Sequence, residues 1–348
     1  MIKKENLYIR DPYIYFEDGI YYLYSSYQKK EDLYPSFVVY KSKDLEEFSE
    51  PITIFKGNSH FWGNKDFWAP EMHKYKNKYY LFASCKSDNC CRGTQIFISD
   101  NPDGKFVCLS NHAITPQNWE CLDGTLWIEN GIPYLIFCHE WLQIGNGTIC
   151  LMQLSDDLTH SVSEPKVLFS AKDAKWPIAF QGKNNYVTDG PFIIKQKDCL
   201  EMIWSSYSKT GYAIGVCRSK SIKGPWIQED QPIYSDDGGN TWAHGDCLPG
   251  TVGHESVVVE LPNGNLQIFM RNTSGSGGKI KTATSLDGGE TWIDVTSGLG
   301  DNLAGTNSCQ HFHIVERLSR KKMDKHILQF CCQWRITPPE QMGVSMSA

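Results

Sequence analysis

The chain has 348 residues, a formal net charge of −6, 41% hydrophobic and 21% charged residues. That balance is globular and excludes a disordered chain. With Arg317-Leu318-Ser319-Arg320-Lys321-Lys322 as its one basic run, it also argues against a nucleic-acid partner. No stretch of about 18 apolar residues occurs, so no membrane-spanning helix and no membrane partner are expected. Residues Met1 to Asn6 lead into a strand without an apolar signal region, and the 13 cysteines are scattered with no CxxC pair. Reduced thiols and a cytoplasmic location are therefore expected.

Tyr8 to Phe16 and Ile20 to Ser26 are aromatic and β-branched runs that flank Asp18-Gly19, a strong hairpin signal. Pro12 is tolerated because it opens the first strand. A similar apolar run returns at Tyr79 to Ser84, Pro133 to Cys138, Leu200 to Ser206 and Leu266 to Arg271. A serine-led turn follows each, at Ser42, Ser99, Ser155, Ser219 and Ser285, at intervals of about 56 to 66 residues. Almost nothing reads as an amphipathic helix of about ten residues or more. Repeating units of about four strands predict an all-β fold, a single five-bladed β-propeller over 1–348. The alternative is six blades, the last incomplete and drawn from residues 308–312 and 326–332.

An acidic residue stands near the first strand of each unit: Asp11, Glu71, Asp123, Asp189 and Glu255. Brought into one register around a channel, they would repel one another and raise some of their pKa values, which is costly for structure alone. Paired carboxylates are what glycosidic hydrolysis needs, one protonated for the leaving oxygen and one to activate water. The 11 Trp and 17 Tyr suit strand packing and sugar stacking equally.

Residues 5 to about 230 resemble glycoside hydrolase family 43, through Arg10-Asp11-Pro12-Tyr13, Trp68-Ala69-Pro70-Glu71, Leu122-Asp123-Gly124 and Thr188-Asp189-Gly190-Pro191. The resemblance implies inverting hydrolysis of arabinofuranosyl or xylosyl linkages in oligo- or polysaccharides. It makes Asp11 the general base, Asp123 the carboxylate that orients the acid and tunes its pKa, and Asp189 the general acid. The family usually has Glu at that last position, so the side chain here is one methylene short, and Glu140 is the alternative acid.

Residues 231–348 depart from this pattern. Ser235 to Trp242 and Ser285 to Trp292 both fit SxDxGxTW, which resembles the Asp-box turn of sialidases. By that resemblance Glu255 would be a base and Arg271 and Arg335 would grip a carboxylate. Trp68, Glu71, His139, Glu140, Glu255 and Arg271 are the candidate substrate-binding residues. His254, in Gly253-His254, resembles the family 43 histidine that binds a metal through waters. Calcium near His254 is thus the candidate ion, and no cofactor is otherwise expected. An exo-sialidase and a non-catalytic carbohydrate-binding propeller are the competing readings.

Overall fold

The structure, a computed structural model, describes residues 1–232 except 210, and residues 253–260, 265–272, 280–286 and 293–299. Its strands follow one another up and down in antiparallel sheets. The first sheet holds β1 (Ile2–Lys3), β2 (Tyr13–Glu17), β3 (Ile20–Tyr27), β4 (Ser36–Ser42), β5 (Glu47–Phe48) and β6 (Ile52–Lys56). The second holds β7 (Lys65–Tyr75), β8 (Lys78–Lys86), β9 (Gly93–Ser99) and β10 (Val107–Cys108). The third is β11 (Cys121–Glu129), β12 (Ile132–His139), β13 (Thr148–Gln153) and β14 (Lys166–Ser170), with one short helix, α1 (Trp141–Ile144), after β12. The fourth is β15 (Asp189–Lys195), β16 (Leu200–Ser208), β17 (Gly211–Ser219) and β18 (Ile227–Gln228). Strands β19 (Gly253–Glu260), β20 (Leu266–Asn272), β21 (Ile280–Ser285) and β22 (Ile293–Leu299) pair in the same order. The architecture is an all-β propeller, and the first strands β7 and β11 each pack against the sheets before and after their own.

Local chemistry sets this repeat. The hairpin after each of the first three inner strands is a two-residue turn with both residues at positive φ: Asp18-Gly19, Lys76-Asn77 and Asn130-Gly131. Such turns match the strand twist, and Asn, Asp and Gly suit them. Serine-led turns at Ser42 and Ser219 also form as expected. Ser42 Oγ accepts the Leu45 N–H at 2.8 Å, and Ser219 Oγ accepts the Ser221 N–H at 3.2 Å.

The second strands read as unbroken apolar runs because both of their faces are buried. In β8, Tyr79, Leu81, Ala83 and Cys85 face the first sheet, while Tyr80 and Phe82 face the third. In β12, Leu135 and Phe137 face the second sheet, while Tyr134, Ile136 and Cys138 face the fourth. The cores between the first and second, second and third, and third and fourth sheets are thus each shared by two sheets. Among the described residues no helix is long and apolar enough to cross a membrane.

The sequence segments 235–242, 287–292, 308–312 and 326–332, and Arg335, lie outside the described residues.

Candidate active site

The site grows from a bulge repeated at the start of each inner strand. Pairing runs Trp68 to Ser84 and then Glu71 to Phe82, Leu122 to Cys138 and then Thr125 to Ile136, Asp189 to Ser205 and then Phe192 to Ile203. In the first sheet the Ser26 N–H donates to the Arg10 carbonyl and Tyr13 pairs with Tyr24. The two bulged residues are therefore Asp11-Pro12, Ala69-Pro70, Asp123-Gly124 and Gly190-Pro191. The first of each pair is left-handed, with φ of 50°, 48°, 55° and 52°. For a residue with a Cβ that conformation costs roughly 1–2 kcal/mol, and bulges of this kind re-aim side chains beside active sites.

This geometry corrects the expectation of one register for all the carboxylates. Asp11 and Asp123 are equivalent. Ala69 and Gly190 hold the same place in their sheets, so Glu71 lies two residues later and Asp189 one residue earlier. The offset escapes a count from the strand start because the bulge residues have no partner across the strand. In β19 pairing passes from His254–Arg271 to Ser256–Met270, which puts the Glu255 backbone on a bulge too. The side chains of His254, Glu255 and Arg271 lie outside the described residues.

The bulges are laced to one another. Asp11 is 0% exposed, and its Oδ2 accepts the Ala69 N–H at 3.4 Å and the Ser26 hydroxyl at 3.2 Å, with Arg10 Nε at 3.6 Å. The Asp123 N–H donates to Ser84 Oγ at 3.1 Å, and Asp123 Oδ2 accepts the Gly190 N–H at 2.9 Å. Burial pushes the Asp123 carboxyl up to about 8; the charges of Asp11 and Glu140 add to this, while the Gly190 N–H and Arg92 oppose it. Asp189 is 1% exposed, and its Oδ2 accepts the Tyr212 hydroxyl at 2.5 Å. The Cys138 thiol feels both Asp123 and Asp189, and is pushed well up by burial first and by the two carboxylates second.

The other expected residues divide. Glu71 is buried and bonded across the sheet gap: its Oε1 accepts the Thr125 hydroxyl at 2.6 Å and lies 2.8 Å from His73 Nε2. Trp68 carries the Arg92 guanidinium over its ring at 4.0 Å, with Arg10 at 5.8 Å. Glu140 is buried against Arg92, which also reaches Asp66 at 3.2 Å. Burial raises the Glu140 pKa and Arg92 counters it. His139 stacks on Trp119 with centroids 4.1 Å apart, and its Nε2 is 2.7 Å from Gln143 Oε1. Asp123 thus lies within the fields of Asp11 and Glu140, Asp189 adjoins it through Gly190, and Glu71 and His139 serve packed networks of their own.

Arg92 and Tyr212 are the residues that sequence reasoning missed. Arg92 follows Cys90-Cys91 and Tyr212 follows Gly211, in no motif, and only strand pairing carries them to the carboxylates. Among the described residues no three His, Cys, Asp or Glu side chains converge as a metal-holding group.

The family model for glycosyl hydrolases family 43 matches residues 6–285. The chain belongs to this family. The match runs past residue 230, where the sequence resemblance had been expected to stop. An endo-arabinase structure from Bacteroides thetaiotaomicron is 36% identical, with a TM-score of 0.65, covering 86% of this chain and 99% of that one. The extracellular exo-α-(1→5)-L-arabinofuranosidase ArbA of Cellvibrio japonicus is 23% identical over 275 residues, 72% of this chain and 75% of its own length. The sialidase likeness is confined to 64 residues, 42% identical to the anhydrosialidase of Macrobdella decora, 18% of this chain and 8% of that protein. The chain spans half to three quarters of the curated arabinofuranosidases it matches over more than 250 residues.

The cytoplasmic expectation is overturned by the same family relatives, two of which are named extracellular. Its cysteine argument also has a physical flaw. Cys85, Cys121, Cys138, Cys150 and Cys217 are buried, and burial drives their pKa values up. The thiolate is the reactive form, so such thiols persist without a reducing compartment.

Proposed function

We propose that the chain hydrolyses arabinofuranosyl or xylosyl linkages with inversion, arabinan being favoured by the likeness to the endo-arabinase. The observation that carries this reading is the pair of buried carboxylates, Asp11 and Asp123, on matching left-handed bulges, with Asp189 beside a third bulge bonded to Asp123. Asp11 takes a proton from the attacking water, the acid side at Asp189 supplies one to the leaving oxygen, and Asp123 holds and tunes the acid. An inverting pair stands about 6.5–9.5 Å apart, leaving room for that water. Trp68, Glu140 and Arg92 shape the sugar-facing wall.

A five-bladed ring fits this reading, because β22 comes up against the turn at Lys4–Asn6 and would close the circle. Work outside the cell also suits a polysaccharide too large to enter one.

Purified protein is offered arabino- and xylo-oligosaccharides and a fluorogenic sialoside, with proton NMR reading the first anomer released. Inverted arabinose or xylose is expected. Asp11→Asn should lower turnover by about 10²–10⁴-fold, the range for loss of a general base, with an unchanged melting temperature. Retained stereochemistry, or an Asp11→Asn variant as active as the parent, defeats the assignment. Sialoside turnover supports the runner-up, a sialidase-like hydrolase, which the 64-residue match favours. Sugar-dependent tryptophan fluorescence without turnover marks a binding protein.

A further inference from the structure

Asp189 has a difficulty as an acid: its side chain is one methylene shorter than the glutamate usual at this place in the family, and its Oδ2 is already covered by the Tyr212 hydroxyl. The partly exposed member of its pair is Tyr212, whose hydroxyl donates to Asp189 Oδ2 at 2.5 Å. The phenol is firmly held. Tyr212 pairs with Tyr207 across the β16–β17 hairpin, and their rings meet edge to face at 4.9 Å and 85°. Tyr207 in turn packs on Phe180 at 4.5 Å, and Phe180 on Trp141 at 5.6 Å, next in the chain to Glu140. This aromatic wall holds the ring of a partly exposed tyrosine whose one rotatable O–H lies on a buried carboxyl.

We propose that Tyr212 is a catalytic residue that passes the proton from Asp189 to the leaving oxygen. The proposal rests on the hydrolase reading above. With Asp189 protonated, its O–H donates to Tyr212 Oη, and the Tyr212 O–H turns toward the glycosidic oxygen. As the C1–O bond breaks, the phenol proton passes to the leaving oxygen and the Asp189 proton passes to Oη. Water attacks C1 and loses a proton to Asp11. The phenol ends neutral, Asp189 ends as carboxylate and Asp11 ends protonated. Exchange with solvent resets both. Because the two transfers are concerted, no phenolate with a pKa near 10 has to form. An aspartate too short to reach the sugar can then still act.

The test compares Tyr212→Phe with the parent on a nitrophenyl arabinofuranoside and an unactivated arabino-oligosaccharide. Phenylalanine keeps the ring contacts and removes only the hydroxyl. The relay predicts a loss of about 10²-fold or more in kcat/KM on the oligosaccharide, whose leaving group needs the proton. It predicts about threefold or less on the nitrophenyl substrate. Asp189→Glu added to Tyr212→Phe should recover most of the oligosaccharide rate, since the longer acid reaches the sugar directly. Equal losses on both substrates would mean that Tyr212 only positions Asp189, and no loss would mean that it is idle; either overturns the relay. A parent protein that turns over neither substrate sinks the hydrolase reading itself, and the relay with it.

Discussion

Burial governs the protonation of Asp123. Its carboxyl is pushed up to about 8 from an unfolded value near 3.9, so the native state binds a proton that the unfolded chain gives up. The sign follows: this group's contribution to stability is full below about pH 4 and is lost as pH rises toward 8. Asp123→Asn keeps the shape and the acceptor for the Gly190 N–H but never has to ionise. The variant should match the parent in melting temperature near pH 4 and exceed it increasingly up to pH 8. The gain should be at least about 1 kcal/mol, or about 2–4 °C, while hydrolysis is lost. Scanning calorimetry across that pH range checks it. A constant difference between the two proteins would show that burial is not what opposes the charge. Such a trade of stability for function is expected where strained, desolvated groups do chemistry.

At the scale of the element, the bulge is the working part of each inner strand, and its second residue is constrained as tightly as its first. A Cβ on Gly124 would lie 2.4 Å from Thr94 Oγ1, 2.6 Å from Cγ2 and 2.9 Å from Cβ. Thr94 is wholly buried in β9 and cannot move aside. Gly124→Ala should therefore shift the bulge that carries Asp123. We expect a loss of about 1–3 kcal/mol, the usual penalty for overpacking, together with at least a tenfold drop in kcat. Adding Thr94→Ala should recover part of both, because it removes the two nearest atoms. If Gly124→Ala unfolds in urea at the parent's midpoint, the close approach of β11 to β9 is not what requires glycine. Ala69 and Gly190 occupy in their own sheets the first bulge position that Asp11 and Asp123 hold in theirs, so the bulge is an architectural constant of these sheets and the carboxylates are put upon it selectively.

Across the whole molecule the sheets are joined by apolar cores and by buried ionic links near the site. Arg92 leaves the second sheet to meet Glu140 of the third, holds Asp66 at 3.2 Å and covers Trp68 at 4.0 Å. Its backbone N–H also donates to Glu120 Oε2 at 2.9 Å. Removing one partner of a buried pair costs about 3–5 kcal/mol, mostly because the other charge is stranded. Arg92→Met should lower the melting temperature by several degrees, and Glu140→Gln in the same chain should restore part of it. A melting temperature within about a degree of the parent would show that solvent reaches Glu140 and that the link is superficial.

The sequence by itself determined the repeat, the hairpins and the family. Asp18-Gly19 and Asn130-Gly131 specify their turns locally, and the apolar runs at 79–84 and 133–138, short and set between turn residues, read as strands. The Arg-Asp-Pro and Asp-Gly-Pro segments are legible for the same reason: local backbone chemistry requires those residues within a few positions. The exact placement of the carboxylates was not legible. A bulge changes which residue faces the channel, and it depends on the partner strand, so only the paired sheets separate Asp11 and Asp123 from Glu71. Arg92 and Tyr212 were invisible because nothing in their own neighbourhoods predicts an acid opposite them. Their partners lie 48 and 23 residues away, and it is sheet packing that excludes water between them and turns ordinary side chains into a site.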